Sequence, residues 1–531
     1  MDGMHFSTLD YIVFISYGLI IVFLGLWVSR TKKGKQKTAQ DYFLASKSLP
    51  WWAIGASLIA ANISAEQMIG MSGSGFAIGL GIASYEWMGA ITLIIVGKFF
   101  LPIFLEKKIY TMPQFLAVRF DNRVRTSMAL FWLMVYIFIN LASILYLGAL
   151  SLETIMGIPL IYGIIGLALF AAIYSIYGGL TAVAWTDVVQ VIFLIGGGLL
   201  TTFLALDAVS GGEGVFEGMS LLIERAPEKF DMILSKDNPY YKDLPGIGVL
   251  VGGMWIANLS YWGFNQYIIQ KGLAAKNIRE AQRGVIFAGY LKILIPLIVV
   301  IPGIVAFVLK ADLIDPQTGN VVNDNAYPWL LHSFVPAGLK GLAFAALAAA
   351  IVSSLSSMIN SISTIFTMDI YKQFIRKEAQ DKQLVTVGRV VSFAALLIAC
   401  FVAPQLQSLD QAFQYIQEYT GFVTPGVVTI FCLGLFWKRA TANAALWVAI
   451  LTIPLSAAFK FFLPGLAFID RMGLVFIMLT LIAIMISLIE SKRDDPKGIQ
   501  LNKSMFHTGP YFNIGAIGIF TIVMVLYILF W

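Results

Sequence analysis

The sequence predicts an all-α integral membrane protein of about fourteen spans, and three observations carry that reading. Of its 531 residues 59% are hydrophobic and 12% charged, with a mean hydropathy of +0.81, which leaves too little polar surface to cover a soluble globule. Apolar runs of roughly 20 residues, the length a helix needs to cross a ~30 Å hydrocarbon core, recur along the whole chain with no soluble domain between them. Strand-period alternation is absent, which argues against an outer-membrane barrel. Backbone groups in lipid must bond internally, so each run reads as a helix.

The first run, 9–29, follows Asp2 and Asp10 and precedes the basic stretch RTKKGKQK, so its leading end lies outside. A cleavable leader would put the basic residues first. The second, 50–74, carries Asn62, Ser64, Glu66, Gln67 and glycines at its centre. Runs 80–105 (with Glu86), 126–152, 160–177 and 181–207 (with Asp187) follow. After the acidic outer segment 208–246 come 247–270 (with Asn258 and Gln266), 285–309 (with Lys292) and 338–367 (with Ser353, Ser354, Ser356 and Ser357). The last five are 385–403, 412–437 (with Gln417 and Glu418), 441–461, 473–490 and 513–531.

Loops 30–49, 106–125, 271–284, 368–389, 438–440 and 491–504 hold most of the 36 lysines and arginines. They alternate onto one side, which is therefore the cytoplasm of a multi-pass membrane protein, with both termini outside. The 310–337 segment, with Asp312, Asp315 and Asp324, falls on the outer side. In this reading Lys271 is a cytoplasmic anchor. Asp187 lies near the cytoplasmic end of its span, as an interfacial charge or an aid to ion passage.

Several function classes drop out. The net charge of +6 does not indicate a nucleic-acid partner, because the basic residues border the spans. Cys400 and Cys432 lie inside apolar runs and read as core residues rather than a disulfide. His5, His332 and His507 are outside the runs and far apart, and no H-E-x-x-H occurs, which argues against a membrane zinc hydrolase and against an enzyme generally. A passive channel would want polarity along a continuous path, whereas here it gathers at one depth. No loop or tail is long enough for a signalling domain.

The polar groups at membrane depth cost roughly 2.5–3.5 kcal/mol each for Asp or Lys at a helix centre, so they line a cavity or pair with each other. Glu86 and Lys292 read as site residues ahead of a static ion pair, and the serines equally as packing or as ligands. Runs 50–74 and 247–270 each join glycines to a polar break and are offset by five spans, so they enter from opposite sides. That is the pattern of inverted repeats whose broken helices hold substrate and ion at the midplane. The sequons at 62–64 and 258–260 are accidental at this depth. Neutral amides, one charge of each sign and the flat faces of Tyr85, Tyr261, Trp262 and Phe413 suit a neutral polyol such as a sugar. Unwound carbonyls near Ala60 and Ile63 with hydroxyls of the serine helix suit Na⁺ better than a divalent ion.

The stretches ASLIAANISAEQMIGMSGSGFAIGL, SYEWMGAITLIIVGKFFLPIF, YSIYGGLTAVAWTDVVQ, NLSYWGFNQYIIQ, AALAAAIVSSLSSMINSISTIFTMDIY and AFQYIQEYTG resemble the sodium/solute symporters. The resemblance covers essentially the whole chain, and several motifs point to the sugar branch. It implies a LeuT-like core of two inverted five-helix repeats, at 50–207 and 247–437, with broken helices near 56–77 and 252–266. Segment 1–49 would be a peripheral helix and loop, 208–246 an outer loop, and 438–531 three peripheral helices. By motif, the sugar contacts fall on Asn62, Gln67, Glu86, Asn258, Lys292, Gln417 and Tyr261, and the gates on Met71, Tyr85, Phe413, Tyr261 and Trp262. Sodium falls on Ala60, Ile63, Ala350, Ser353 and Ser354, with Asp187 attending its release. The coupling ion is Na⁺, no organic cofactor is implied, and the partners are a small sugar, sodium and the lipid bilayer. Gly89 and Ser260 depart from the family pattern beside the sugar and the gate. Inositol, proline or sialic acid are the alternative solutes within the same family.

Overall fold

The computed structural model describes residues 7–30, 37–314, 321–336, 338–406 and 412–531, with backbone alone at 154–155 and 412–415. Asp2, His5, Asp315, residues 31–36 of the basic stretch and the side chain of Phe413 therefore lie outside the described residues. Among those described, twelve helices are long and apolar enough to cross a membrane, and there is no strand, only two isolated bridges. Two further crossings are interrupted. The first runs through Trp51–Asn62, Glu66–Met71 and Ser72–Ala77. The second runs through Gly253–Leu259, Ser260–Phe264 and Gln266–Leu273.

Burial separates core from periphery. The serine-bearing helix Lys340–Ile375 has 94% of its apolar window buried, against 17% for Thr8–Val28 and 22%, 28% and 28% for the three C-terminal spans. The serine helix packs against Leu180–Ser210, and Ile278–Val308 packs against the first broken span. Leu49 N–H donates to Ala274 C=O and Lys276 N–H to Leu49 C=O, both at 3.2 Å. This bridge ties the start of the first broken span to the end of the second.

Helix ends extend beyond the apolar runs where polar residues continue the helix outside the hydrocarbon layer. Ile278–Val308 begins before 285 because Asn277 caps it, its side chain accepting from Glu280 N–H, an N-cap arrangement. Asn122–Met134 is capped in the same way by Asp121.

The glycines do not mark the breaks, contrary to the expectation that glycine and unwinding coincide. A Cβ on Gly75 would lie 2.6 Å from Val300 O, one on Gly303 2.0 Å from Ser72 O, and one on Gly253 2.0 Å from Ile469 O. These residues let backbones approach, while the breaks fall at Ile63 and Asn265. The C-terminal half of the first broken span is finished by Lys229, whose ammonium donates to Phe76 O at 3.0 Å and Ala77 O at 2.6 Å. A cation on the last carbonyls of a helix satisfies groups that otherwise lack partners.

Candidate functional site

The first break is written locally. Ile63 leaves the helical region at φ −79°, ψ 103°. The Gln67 side-chain oxygen accepts from Ser64 N–H at 3.1 Å and Ser64 Oγ at 2.9 Å, while Ser64 Oγ accepts from Glu66 N–H at 3.1 Å. Ser64-Ala65-Glu66-Gln67 thus behaves as a capping box that starts the outer half-helix anew. The carbonyls released on the other side of the break face the serine helix. Ser354 Oγ donates to Ala61 O at 3.1 Å, with Ile63 O at 3.5 Å.

The second break is held from elsewhere. Asn265 sits at φ −77°, ψ 122°. The Tyr136 hydroxyl, from the 122–156 helix, donates to Asn265 Oδ1 and accepts from Gln266 N–H at 3.0 Å. Gln266 in turn accepts from Met112 N–H at 2.8 Å and donates to Tyr110 O at 3.1 Å. A buried backbone N–H must find a partner, and here a tyrosine from another span provides it.

Between the breaks lies a cavity of about 120 Å³, counted as the space open to the centre of a water molecule. Asn62, Gln67, Met71, Tyr85, Glu86, Asn258, Tyr261, Trp262, Lys292 and Gln417 all line it. Lys292 Nζ pairs with Glu86 and donates to Asn62 Oδ1 at 2.7 Å, and it sits 5.1 Å from the centre of the Trp262 ring. Asn62 Nδ2 donates to the Tyr261 hydroxyl at 3.0 Å. Asn258 Nδ2 is spent on Met254 O at 3.1 Å.

Beside the first break, Ser353 and Ser354 are buried, as are Ala60, Ile63 and Ala350. Ser353 Oγ donates to Asp187 Oδ1 at 2.6 Å. Asp187 also accepts from Ser57 Oγ and, at 3.0 Å, from Lys271 Nζ, and both charged side chains of that pair are 0% exposed. Two readings are corrected here. Lys271 is no anchor in a cytoplasmic loop but part of a buried ion pair, and Asp187 is not an interfacial charge. The end of the second broken span packs against Trp51–Asn62 and the serine helix, from where the Lys271 side chain reaches Asp187. Glu418, counted among the polar groups at depth, lies away from Glu86 and pairs with Arg471 at 2.6 Å and Lys460 at 3.3 Å.

Sequence reasoning passed over Tyr136, Asn140 and Tyr267, which line the cavity, and assigned no role there to Glu66. Tyrosine carries no penalty in a span and so leaves no hydropathy signal. The S-x-x-Q spacing at 64–67 was the available mark of the first break.

Two interrupted helices, offset by five spans and facing one buried polar cavity, with freed carbonyls and hydroxyls beside it, define a secondary active transporter of the LeuT-like class. The profile of the sodium:solute symporter family matches residues 42–452. The chain belongs to that family and is a sodium-coupled solute symporter. It is 56% identical over 537 residues to the sodium/glucose cotransporter of Vibrio parahaemolyticus, covering 99% of this chain and 98% of the relative. It is 36% identical over 464 residues to the sodium/myo-inositol cotransporter 2 of Oryctolagus cuniculus, covering 83% and 68%. Among solved structures, a Na⁺-coupled sialic acid symporter in a substrate-bound outward-open state superposes with a TM-score of 0.79 at 26% identity, covering 91% of this chain and 98% of that one.

Proposed function

We propose that the solute is a neutral hexose, galactose or glucose, carried inward with Na⁺ by alternating access. The observation that carries this reading is the Lys292 ammonium held between Glu86 and Asn62 on the cavity wall. A charge pair plus amides offers a sugar donors and acceptors without net charge, whereas an anion would want an unpaired cation. Glu66, which also lines the cavity, brings a second acidic side chain and no cation. The 56% identity to a protein named a sodium/glucose cotransporter supports the same solute class.

In this reading Asn62, Gln67, Glu86, Asn258, Lys292 and Gln417 hold the hydroxyls and Tyr261 stacks on the ring. Met71, Tyr85 and Phe413 close the site from outside, Tyr261 and Trp262 from inside. Na⁺, as co-substrate, sits among backbone oxygens at the first break, those of Ala60 and Ile63, with that of Ala350 and the hydroxyls of Ser353 and Ser354. It leaves past Asp187 toward the cytoplasm, with both termini outside. Gly89 bears on which hexose is taken: a Cβ there would lie 3.0 Å from Trp262 Nε1, 3.1 Å from Asn258 Oδ1 and 3.3 Å from Lys292 Cε. The bare glycine leaves the contact groups of Asn258 and Lys292 uncrowded.

The test is uptake of radiolabelled galactose and glucose into proteoliposomes with and without an inward sodium gradient. Gradient-dependent accumulation is expected, abolished by Glu86→Gln. Sodium-driven uptake of inositol but of neither hexose would overturn the assignment.

A further inference from the structure

A chain of hydrogen bonds crosses the second break, where the backbone's own helical bonding is interrupted. It begins at the Glu86–Lys292 pair, passes from Lys292 Nζ to Asn62 Oδ1 at 2.7 Å and from Asn62 Nδ2 to the Tyr261 hydroxyl at 3.0 Å. It ends at Tyr267, whose hydroxyl donates to that of Tyr261 at 2.7 Å. Tyr261 precedes Asn265 and Tyr267 follows it, so the chain joins the two halves of the span. The rings reinforce it: Tyr261 and Tyr267 meet edge-on at 5.8 Å, as do Tyr136 and Tyr267. Tyr136, from a different helix, holds the break itself through Asn265 and Gln266.

We infer that Tyr267 and Tyr136 are positioning residues that tie occupancy of the solute site to the bend of the second broken span. The inference rests on the proposed site at Glu86, Lys292 and Asn62. A solute hydroxyl bonding to Lys292 or Asn62 competes for the first link. The ammonium on Asn62 Oδ1 polarises the amide and strengthens its N–H as a donor, so weakening that bond weakens the one to Tyr261, which also accepts from Tyr267. The Tyr261 hydroxyl is then released from Asn62, and the bonds left across the break are those of Tyr267 and Tyr136. A differential contact of this kind is what lets a ligand bias one conformation over another.

The Tyr136 hydroxyl is committed on both sides, to Asn265 and to Gln266. Its proton goes to Asn265 and one lone pair takes the Gln266 N–H, which is how it holds the break. This separates the inference from a simple binding role: binding and coupling come apart when these hydroxyls are removed.

The test uses the full chain in proteoliposomes with labelled galactose. Tyr267→Phe keeps the ring, strands no backbone group and cuts the last link. The expected result is galactose affinity within about twofold of the parent, sodium-driven accumulation reduced about tenfold, the size of a typical coupling between sites, and raised efflux without sodium. Tyr136→Phe leaves the Gln266 N–H unpartnered and can fail to fold, so Tyr267→Phe decides. Parental accumulation in Tyr267→Phe overturns the inference, as does an affinity loss matching the loss of accumulation. A parent protein that takes up no hexose, or a Glu86→Gln variant that still does, sinks the site reading instead.

Discussion

Replacing Lys271 with methionine isolates the buried pair beside the serine helix. In the folded protein Asp187 has three donors, Ser57, Ser353 and Lys271, the last at 3.0 Å, and neither charged side chain is exposed. Methionine keeps the length and apolar stem but leaves a buried carboxylate with two hydroxyls and no countercharge. Breaking one partner of a buried pair costs about 3–5 kcal/mol, because the remaining charge stays desolvated, whereas replacing both by neutral groups is often close to neutral. Lys271→Met should therefore be strongly destabilised, and Lys271→Met/Asp187→Asn should recover most of the loss, giving a coupling energy of about 3 kcal/mol. The assay is thermal unfolding of purified protein in detergent, read by tryptophan fluorescence, for the parent, both singles and the double. If the double is no more stable than the weaker single, the pair does not act as a charge-balanced unit and the argument from its burial fails.

Three further outcomes follow from the same geometry. Ser353→Ala or Ser354→Ala should raise the sodium concentration needed for half-maximal uptake about tenfold, the loss of one ion ligand at ~1.4 kcal/mol; unchanged sodium dependence in both removes them from the ion site. Tyr261→Phe should retain the ring and much of the transport while Tyr261→Ala stops accumulation, measured per unit of protein in the membrane, and parental accumulation by the alanine variant would make Tyr261 ordinary packing. Burial, with Arg389 nearby, lowers the Lys37 amine from 10.5 to about 8. The folded chain then binds fewer protons than the unfolded one between these values, so stability should rise as pH climbs from about 8 to 10.5. Lys37→Gln should flatten that rise in the unfolding midpoint, and a slope that persists in the variant would assign it to another group.

How much was legible before any coordinates depends on what lipid penalises. Apolar runs declare themselves because each must satisfy its solvent, and Asn62, Glu86, Asn258 and Lys292 stood out because a polar group at that depth is expensive. Tyr136 and Tyr267 did not, since a tyrosine is as much at home in a span as in a site. Lys271 was misread for a physical reason: a cation at the end of an apolar run is the ordinary mark of a cytoplasmic edge, and only packing reveals that it turns inward to Asp187. Arg119 repeats the lesson. From sequence it is one of the loop cations, yet it is fully buried and donates to the carbonyls of Gly434, Trp437 and Ala440. Gly75, Gly253 and Gly303 were legible as small residues but not as packing contacts, because their partners lie on other helices.

The two breaks also differ in when they can exist during synthesis. The first is completed by Ser64 and Gln67, three residues apart, so it is available as soon as that stretch leaves the ribosome. The second needs a hydroxyl 130 residues upstream of Gln266, and an exposed N–H in hydrocarbon costs several kcal/mol. In the natural order of translation Tyr136 is already in the membrane when 253–273 arrives, so the break meets its partner on entry. A circular permutant that delivers 253–273 ahead of 122–156 would present that N–H to lipid with nothing to receive it, and the order of the spans along the chain is thus itself part of how the broken helix comes to be tolerated.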